Sequence, residues 1–272
     1  MVVYPKIEST SNPKIKHLVR LRKSSRYRNE IGMFILEGRR EIEAMLAAGR
    51  ILEEIYFTAS LLGQNEPSTM LPDLSKEIQV FELSENPMSK ISYRNHGSEI
   101  IGVAKTWDLG LRQQEFSDLG LVLILDEIEK PGNLGAILRT SEAMGVDAVL
   151  LSDAKVDFFN PNVVRSSMGL FASMPVFSGT KQEVLGLLRQ SNLSVVCTSS
   201  KASTSIYEYD FGPRVALVMG GESKGLGSFW EKNSDSMISI PMIGKASSLN
   251  LNCATACALM EINRRKMASR TS

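Results

Sequence analysis

A permanently charged arginine follows a glycine-containing loop in "DEIEKPGNLGAILRT" (126–140), the first of three segments whose residues could do chemistry. Gly132 and Gly135 would allow a tight turn and a close backbone approach, and free N–H groups at the start of the next helix would attract an anion. Asn133 and Arg139 are the polar side chains available there. A tight strand-to-helix turn with a surface arginine is the structural alternative, because G-x-x-G alone is a weak signal.

Two further segments also follow apolar runs. In "VMGGESKGLG" (218–227), a buried strand is predicted to end in two glycines before Glu222, which leaves backbone amides open to a flat heterocycle or a ribose. In "IPMIGKASSLNLN" (240–252), Ser248 and Asn250 precede a predicted helix. Glu222 could instead cap the helix that follows it, and Ser248 could be the N-cap of the last helix.

The residue types give little support to other chemistries. Cys197, Cys253 and Cys257 form no C-x-x-C pair, which argues against a zinc site or a disulfide framework and predicts buried, reduced thiols. His17 and His96 lie outside the three segments, so neither offers a proton acceptor there. No strand precedes a G-x-G-x-x-G, which disfavours a nucleotide-binding oxidoreductase. Without a long apolar run or a signal-peptide pattern, we expect no membrane partner and a cytoplasmic (in a eukaryote, organellar) protein.

The elements that would carry the three segments belong to a predicted α/β domain at 120–272. Continuous apolar runs alternate there with helical stretches, a pattern typical of a mostly parallel sheet covered on both faces. Such sheets bind ligands outside the carboxyl ends of their strands. The runs are "LVLILDEI", "AVLL", "LSVVCTSS" and "RVALVMGG". The C-terminal residues predict a long helix with an apolar face of Leu251, Ala254, Ala258 and Ile262.

Residues 1–105 predict a second, smaller α/β domain, and residues 106–119, which lack periodicity, predict a linker. "NPKIKHLVRLRK" begins with Asn-Pro and has its apolar residues at helical spacing. "RREIEAMLAAG" predicts another helix that ends at Gly49. "MFILEG", "ILEEIYFT", "IQVFEL" and "EIIGVAKTW" predict strands, with a turn-rich stretch at 63–73 between the second and the third of them.

Basic residues are concentrated near the N-terminus. Residues 1–30 hold eight lysines and arginines against two glutamates, a net charge of +6, whereas the remaining residues carry −5. Lysine and arginine side chains that displace counterions from phosphates give salt-dependent affinity for nucleic acid. A solvated helix face would hold the same residues, so charge alone leaves nucleic-acid binding open.

Taken together, the three segments resemble the motifs of the SpoU (TrmH) group of the SPOUT RNA 2′-O-ribose methyltransferases. The matching residues are Asn133, Gly135 and Arg139 for the first motif, Gly220 and Glu222 for the second, and Ile240 to Met242 with Ser248 to Asn250 for the third. Three motifs in the family's order make a specific signal. The resemblance extends over nearly the whole chain.

This resemblance implies a trefoil-knotted SPOUT domain that binds S-adenosylmethionine, forms a homodimer through the C-terminal domain and methylates RNA without a metal. In the knot, the C-terminal segment would pass through a loop and bring 220–226 and 240–250 together as the cofactor pocket. The implied catalytic residues are Arg139, Asn133, Glu222, Ser248 and Asn250. The implied cofactor-binding residues are Thr198, Ser199, Gly220, Ile240, Met242 and Leu249.

The front half, through "RYRNEIGMFILEGRREIEAML", resembles the same group's substrate-binding domain, which has an L30e-like fold. Two-domain members of this kind mostly modify ribosomal RNA, so we expect rRNA (23S-like) rather than tRNA. The implied RNA-binding residues are Arg20, Arg22, Lys23, Arg26, Arg28 and Arg165, although Arg165 could instead pack against a dimer partner. A tRNA methyltransferase and a non-catalytic RNA-binding protein that retains the fold are the alternatives.

Two residues depart from the family pattern. Asn252 stands where relatives often have serine, which puts in doubt any role for a hydroxyl at that site. Ser223 stands where many relatives have glycine, and a small side chain is expected to fit there.

Overall fold

The computed structural model describes residues 3–62, 77–93, 98–111, 116, 118–223 and 225–271. Several features considered in the sequence fall wholly or partly outside these residues. They include the turn-rich stretch at 63–73, His96, residues 112–115 and 117 of the predicted linker, and residue 224 of the segment 218–227.

Contacts between residues divide the chain into two compact units. The first unit contains Met1–Trp107 and Asp157–Ser173, and the second contains Asp108–Val156 and Met174–Ser272. A short segment near the middle of the predicted C-terminal domain therefore packs with the N-terminal unit. The boundaries that the sequence suggests, 1–105, 106–119 and 120–272, stay predictions.

The strands form one sheet in each unit, as the apolar runs predicted. In chain order they are β1 (Lys6–Ile7), β2 (Met33–Glu37), β3 (Leu52–Phe57), β4 (Gln79–Leu83), β5 (Ile100–Lys105), β6 (Leu121–Asp126), β7 (Ala148–Ser152), β8 (Val176–Gly179), β9 (Ser194–Thr198), β10 (Thr204–Ser205), β11 (Val215–Met219) and β12 (Ser236–Ser239). The first sheet has the order β1-β4-β3-β5-β2, in which β5 runs antiparallel to both neighbours. The second has the order β10-β12-β9-β11-β6-β7-β8, and its strand pairs are parallel.

Helices separate most of these strands. They are α1 (Pro13–Lys23), α2 (Ser25–Ile31), α3 (Arg39–Ala47), α4 (Ala59–Leu62), α5 (Glu85–Ile91), α6 (Pro131–Ala143), α7 (Pro161–Ser166), α8 (Lys181–Gln190), α9 (Ser228–Asn233) and α10 (Leu251–Thr271). The alternation of parallel strands with helices in the second unit gives the predicted α/β architecture.

The basic helix α1 forms where the Asn-Pro pair predicted it. The Asn12 side chain accepts the backbone N–H of Lys14 at 2.9 Å, and Pro13 occupies a helix position whose N–H has no helical partner. Ile15, Leu18 and Leu21 lie on one face of the helix and are fully buried. Lysine and arginine side chains therefore occupy the remaining, outward face.

Arg28 was wrongly predicted to bind RNA, because its side chain is buried. Its Nε donates to Oδ2 of Asp157 at 2.8 Å, and its Nη1 donates to the carbonyl of Leu21 at 2.6 Å. The side-chain exposure is 2% for Arg28 and 13% for Asp157. Arg28 therefore joins the 157–173 segment to α2 within the first unit. Its guanidinium is buried and is not accessible to a phosphate.

An aromatic cluster fixes the same segment. Phe158, Phe159 and Phe171 pack around Trp107, with ring centroids 4.8 to 5.8 Å from the indole. Phe34 of β2 contacts Phe159 at 5.0 Å between centroids. The Trp107 pairs with Phe158 and Phe159 are edge-to-face and its pair with Phe171 is stacked, and such ring pairs add packing energy beyond the area that they bury.

The core of the second unit lies on both faces of its central strands. All residues of β6 and β11 are buried, which explains why their sequences are continuously apolar instead of alternating. In α10, Leu251, Ala258 and Ile262 are buried along the predicted apolar face. Among the described residues, none of the helices has the length and apolar character needed to cross a bilayer.

The cysteines only partly follow the prediction of buried thiols. Cys197 lies in the core of the second unit, where burial raises the pKa of its thiol to about 12. Cys253 and Cys257 are exposed, one turn apart on α10. The prediction is wrong for these two, because the apolar face of α10 is carried by other residues and leaves positions 253 and 257 on the outside.

The buried ion pair gives a stability prediction. Replacement of Asp157 with Asn should lower the free energy of unfolding by about 3 kcal/mol, since it leaves the Arg28 charge buried without its counter-charge. Urea unfolding followed by circular dichroism measures the loss. Arg26→Ala is the control, because Arg26 pairs with Glu30 on the surface and should cost less than about 1 kcal/mol. Equal effects of the two changes would contradict the assignment.

Candidate active site

A cavity of about 440 Å³ lies at the carboxyl ends of β9 and β11. Its lining includes all six residues predicted to bind a cofactor: Thr198, Ser199, Gly220, Ile240, Met242 and Leu249. It also includes three of the five residues predicted to be catalytic, namely Glu222, Ser248 and Asn250. The second and third motifs, which are about twenty residues apart in the sequence, therefore meet in one cavity.

The carboxylate of Glu222 joins the second motif to the first. It accepts the backbone N–H groups of Glu129 at 3.1 Å and Lys130 at 3.3 Å, and the Asn133 side-chain amide at 2.9 Å. These donors lie at or just before the start of α6, where N–H groups have no helical partner and the helix dipole favours negative charge. Glu222 thus caps α6. The sequence alternative, in which Glu222 caps the helix that follows it, is therefore wrong.

Asn250 joins the third motif to the first. Its Oδ1 accepts the N–H of Asn252 at 3.0 Å, which makes Asn250 the N-cap of α10, and its Nδ2 lies 3.3 Å from Oδ1 of Asn133. The N-cap role that the sequence suggested for Ser248 is wrong, since α10 begins at Leu251, three residues beyond Ser248. One amide therefore starts the last helix and also contacts α6.

Glycines are required where the backbone of the second motif folds on itself. A Cβ at Gly220 would lie 2.4 Å from the carbonyl carbon of Gly225 and 2.4 Å from the N of Leu226. A Cβ at Gly221 would lie 3.2 Å from the carbonyl oxygens of Asp126 and Glu127. These contacts show that only glycine fits at both positions, because the protein's own backbone occupies the space of a side chain. That the two glycines leave backbone amides open to a ligand stays a prediction.

The first motif differs from its predicted form. Helix α6 begins at Pro131, so Gly132 and Gly135 lie inside the helix and not in a loop. The residue with left-handed backbone is Glu127, at φ 49°. Glycine is not needed for the turn at Gly132, where an added Cβ would meet nothing within 4 Å. The prediction that both glycines make a tight turn is therefore wrong.

Ion pairs fix the segment between β6 and α6. Lys155 Nζ lies 2.8 Å from Glu127 and 3.0 Å from Glu129, and Lys181 also pairs with Glu127. Hydrogen bonds from Lys155 and then Lys181 lower the pKa of Glu127 to about 2. Burial raises the pKa of Asp126 at the end of β6, against the hydrogen bond from Ser152 and the charge of Lys181. The sequence showed these charges, but not that residues after β6, after β7 and at the start of α8 pair with one another.

Arg139 lies on the exposed side of α6 and is not part of the cavity lining. Among the described residues, no ion pair involves its guanidinium. The hydroxyl of the neighbouring Thr140 lies 3.2 Å from Oδ1 of Asn252. Asn252, which stands where relatives often have serine, therefore contacts α6 through its side-chain amide. The structure thus brings Asn133, Glu222 and Asn250 together and leaves Arg139 free at the surface.

Three charged residues of the cavity lining were not predicted: Lys130, Lys201 and Glu231. Lys130 and Lys201 each follow a predicted strand within a few residues, which is the one sequence signal that could have found them. Together with the polar motif residues, they make the cavity suited to a ligand that carries several polar groups. The described residues contain no cluster of His, Cys, Asp and Glu arranged to hold a metal.

The residues predicted to bind RNA lie in the first unit and differ in their environment. Arg20, Lys23, Arg26 and Arg165 are exposed. Arg20 lies over the ring of Tyr27, 3.8 Å from its centroid. Arg22 is half-buried and donates through Nη1 to the carbonyl of Ile91 at 2.8 Å. The exposed arginines and lysine remain available to phosphates, whereas Arg22 is engaged by the protein.

Comparison with known families accounts for most of the chain. Residues 120–260 match the SpoU rRNA Methylase family, and residues 12–102 match the family described as an MRM3-like substrate binding domain. The chain is 28% identical over 251 residues to the 23S rRNA (guanosine(2553)-2'-O)-methyltransferase RlmP of Bacillus subtilis. The aligned region covers 92% of this chain and 96% of that protein.

Solved structures show the same architecture. A crystal structure of an RNA 2'-O ribose methyltransferase has a TM-score of 0.84 at 34% identity, over 96% of this chain and 99% of that one. The AdoMet-bound rRNA methyltransferase of Sinorhizobium meliloti has a TM-score of 0.85 at 26% identity, over 96% and 98%. A structure that addresses 2-OH methylation of C/U34 on tRNA has a TM-score of 0.51 at 27% identity and covers 54% of this chain but 97% of its own.

The bonds made by Glu222 lead to a prediction about local stability. Glu222→Gln replaces a carboxylate with an amide that has one acceptor oxygen, so the N–H groups of Glu129 and Lys130 should lose a charge-assisted partner worth about 1.5–3 kcal/mol. Hydrogen exchange at these two amides should accelerate by about tenfold or more. Glu231→Gln, at an exposed cavity position, is the matched control and should leave both rates unchanged. Unchanged exchange in Glu222→Gln would rule out the capping role.

Proposed function

The chain belongs to the SpoU rRNA methylase family, and from this membership we propose that it transfers a methyl group from S-adenosylmethionine to a ribose 2′-oxygen of RNA. Ribosomal RNA is the proposed substrate. The relative from Bacillus subtilis is named as a 23S rRNA methyltransferase, and the structure from Sinorhizobium meliloti is described as AdoMet-bound. The same proposal gives the protein a cytoplasmic location.

The cavity that unites the second and third motifs is the observation that carries this proposal. Its volume of about 440 Å³ lies within the usual range of small-molecule sites. Gly220 would present backbone groups to the adenosine end without an intervening side chain, and the backbone groups of Ile240 and Leu249 would also face it. Thr198 and Ser199 add hydroxyl groups from the end of the neighbouring strand β9. This mixture of exposed backbone, hydroxyls and apolar side chains fits an adenosyl amino acid.

The chain's own residues align the reacting groups. When bound, the cofactor supplies an electrophilic methyl group on a positively charged sulfur. Alignment of a nucleophile with such a group can contribute about 7–11 kcal/mol in favourable cases. Ser248 and Asn250 would contact the bound molecules from the third motif. Glu222, whose carboxylate already accepts three N–H groups, serves as a positioning residue that holds Asn133 and the start of α6.

Arg139 is proposed to clamp the target nucleotide. A guanidinium stays protonated in proteins, so it donates hydrogen bonds and does not accept a proton. Its planar fork suits a phosphate together with the 2′-oxygen on which negative charge develops. The exposed position of Arg139, without an ion pair in the described part of the chain, supports a role towards RNA. Asn133 lies on the same helix and would orient the ribose.

Ribosomal RNA is preferred over tRNA because of the first unit. Residues 12–102 match a substrate-binding family, and the two solved structures that cover 96% of this chain include counterparts of these residues. The structure described for tRNA covers only 54% of this chain. A non-catalytic RNA-binding protein is the second candidate, and calorimetric titration with S-adenosylmethionine separates the two, since that protein would show no binding heat.

A homodimer with a trefoil knot is part of the proposal. Cys253, Cys257 and Met260 form an exposed stripe at helical spacing on α10, and Met260 is 56% exposed. Exposed apolar side chains on the outside of a helix favour a second copy of the chain as their partner. The dimer would place RNA sites across its interface, where Arg139 on the outer side of α6 would complete them.

The activity itself can be tested on ribosomal RNA from cells that lack the gene. The purified protein and S-adenosylmethionine should restore 2′-O-methylation at one nucleotide, read by mass spectrometry of nuclease fragments. Arg139→Lys should reduce the rate about tenfold or more and leave cofactor affinity nearly unchanged, because a lysine lacks the bidentate fork. Arg189→Lys, in an exposed pair with Asp235, is the control. Full activity of Arg139→Lys would refute the clamp.

The dimer proposal has its own test. Met260→Glu should shift the sedimentation coefficient from that of a dimer towards that of a monomer at micromolar concentration, since it places a charge in an apolar contact. Ile51→Glu, at an exposed position of the first unit, is the control and should leave the dimer intact. A wild-type protein that sediments as a monomer would contradict the proposed assembly.

A further inference from the structure

Tyr93 is an exposed aromatic residue in the first unit, directly after α5. Its side chain is 49% exposed, and the guanidinium of Arg165, in the last turn of α7, lies over its ring at 5.3 Å from the centroid. Arg165 is itself exposed and, within the described part of the chain, takes part in no ion pair. A partly exposed aromatic ring therefore carries a guanidinium without an ion-pair partner over one of its faces.

The backbone beneath the ring is held from two sides. Glu37 at the end of β2 accepts the N–H of Tyr93 at 2.7 Å and also binds the Ser92 hydroxyl. Arg22 donates to the carbonyls of Ile91 and Ser92 from the side of α1. Two charged side chains thus fix a stretch whose aromatic residue is only half covered. Burial of the ring does not explain this arrangement, whereas a rigid contact surface for a ligand does.

The shape of the site points to a flat ligand. The depression between Tyr93, Arg165 and Arg22 has a volume of about 10 Å³, too small for a nucleoside or a peptide side chain to enter. A ligand must therefore contact the exposed part of the ring and cannot enter a cavity. Planar groups joined to negative charge suit such a surface, because they can stack on the ring while the guanidinium binds the charge.

We propose that Tyr93 and Arg165 form a stacking platform for an unpaired base of the RNA substrate, with Arg165 bound to an adjacent phosphate. The proposal rests on the RNA-directed function given above and names a contact within it. Only an unpaired base exposes its face, because a base inside a duplex is covered by its neighbours, so the platform selects single-stranded segments such as loops and bulges.

Binding to short RNA tests the platform without cofactor or methyl transfer. The probe is a fluorescein-labelled 12-nucleotide single strand of mixed sequence, compared with the same strand in a 12-base-pair duplex, and Kd is read by fluorescence anisotropy. Tyr93→Ala should weaken single-strand binding about tenfold, in keeping with the loss of one base–aromatic stack. Tyr93→Phe should stay within about twofold of wild type, and duplex binding should change little in either variant.

Three further variants separate stacking from other effects. Tyr93→Leu keeps an apolar side chain but not the ring, and should bind as weakly as Tyr93→Ala. Tyr207→Ala removes an exposed tyrosine of the second unit and should leave binding unchanged. Arg165→Ala should reduce the slope of log K against log salt by about 0.7, the value for one phosphate of a single strand. All variants are first checked for unchanged thermal unfolding.

Several results would overturn the platform. The first is that Tyr93→Ala binds the single strand within twofold of wild type. The second is that Tyr93→Phe binds as weakly as Tyr93→Ala. The third is that the salt slope of Arg165→Ala is unchanged. Conversion of Arg165→Ala to a monomer in sedimentation would assign Arg165 to a dimer contact instead. A failure of the methyltransferase proposal is distinguishable, since it would appear as absent cofactor binding and absent methyl transfer while the Tyr93 effect on RNA binding persists.

Discussion

The candidate site depends on the capping of α6 by a carboxylate that is remote in the sequence. The first N–H groups of a helix need an acceptor, and most helices obtain it from a side chain next to the helix start. Here Lys130 occupies the N-cap position and makes no side-chain cap bond, and Pro131 follows it. Glu222, in the loop that follows β11, supplies the acceptor instead. This bond obliges the second motif to lie against the first.

The same constraint explains how the third motif joins the site. Asn133 donates to Glu222 through its amide nitrogen, and its amide oxygen faces the Asn250 amide. Asn250 in turn fixes the start of α10. Glu222 and Asn250 thus each accept backbone N–H groups at a helix start and also line the cavity, and Asn133 links the two. Loss of Glu222 or Asn250 would leave a backbone donor without its partner and would loosen the adjoining wall of the cavity. Stability and ligand binding therefore rest on the same few hydrogen bonds.

Much of the fold could be predicted from local patterns. Continuous apolar runs located β6 and β11, and the Asn-Pro pair located the start of α1, because strand burial and helix capping act within a few residues. The motifs located the cavity lining, including Gly220 and Ile240. This part of the prediction rested on resemblance, since spacing alone left each segment with a structural alternative.

What the sequence did not reveal depends on contacts between distant residues. Nothing near Arg28 indicates that Asp157, far along the chain, would bury its charge. The cap that Glu222 provides to α6 is equally non-local, and it replaces the local capping role considered for Glu222. Cys253 and Cys257 are exposed because a different face of α10 packs against the core. Helical spacing alone did not show which face of the helix would be buried. Tertiary partners, and not residue type, decide such cases.

A double-mutant cycle between Glu222 and Asn133 tests the central claim most directly. The four proteins are wild type, Glu222→Ala, Asn133→Ala and the double variant, and the quantity measured is the affinity for S-adenosylmethionine by calorimetry. If the two side chains act as one unit, the double variant should lose about as much affinity as Glu222→Ala alone, with a coupling energy of about 1.5 kcal/mol or more. Additive losses from the two single changes would contradict the account.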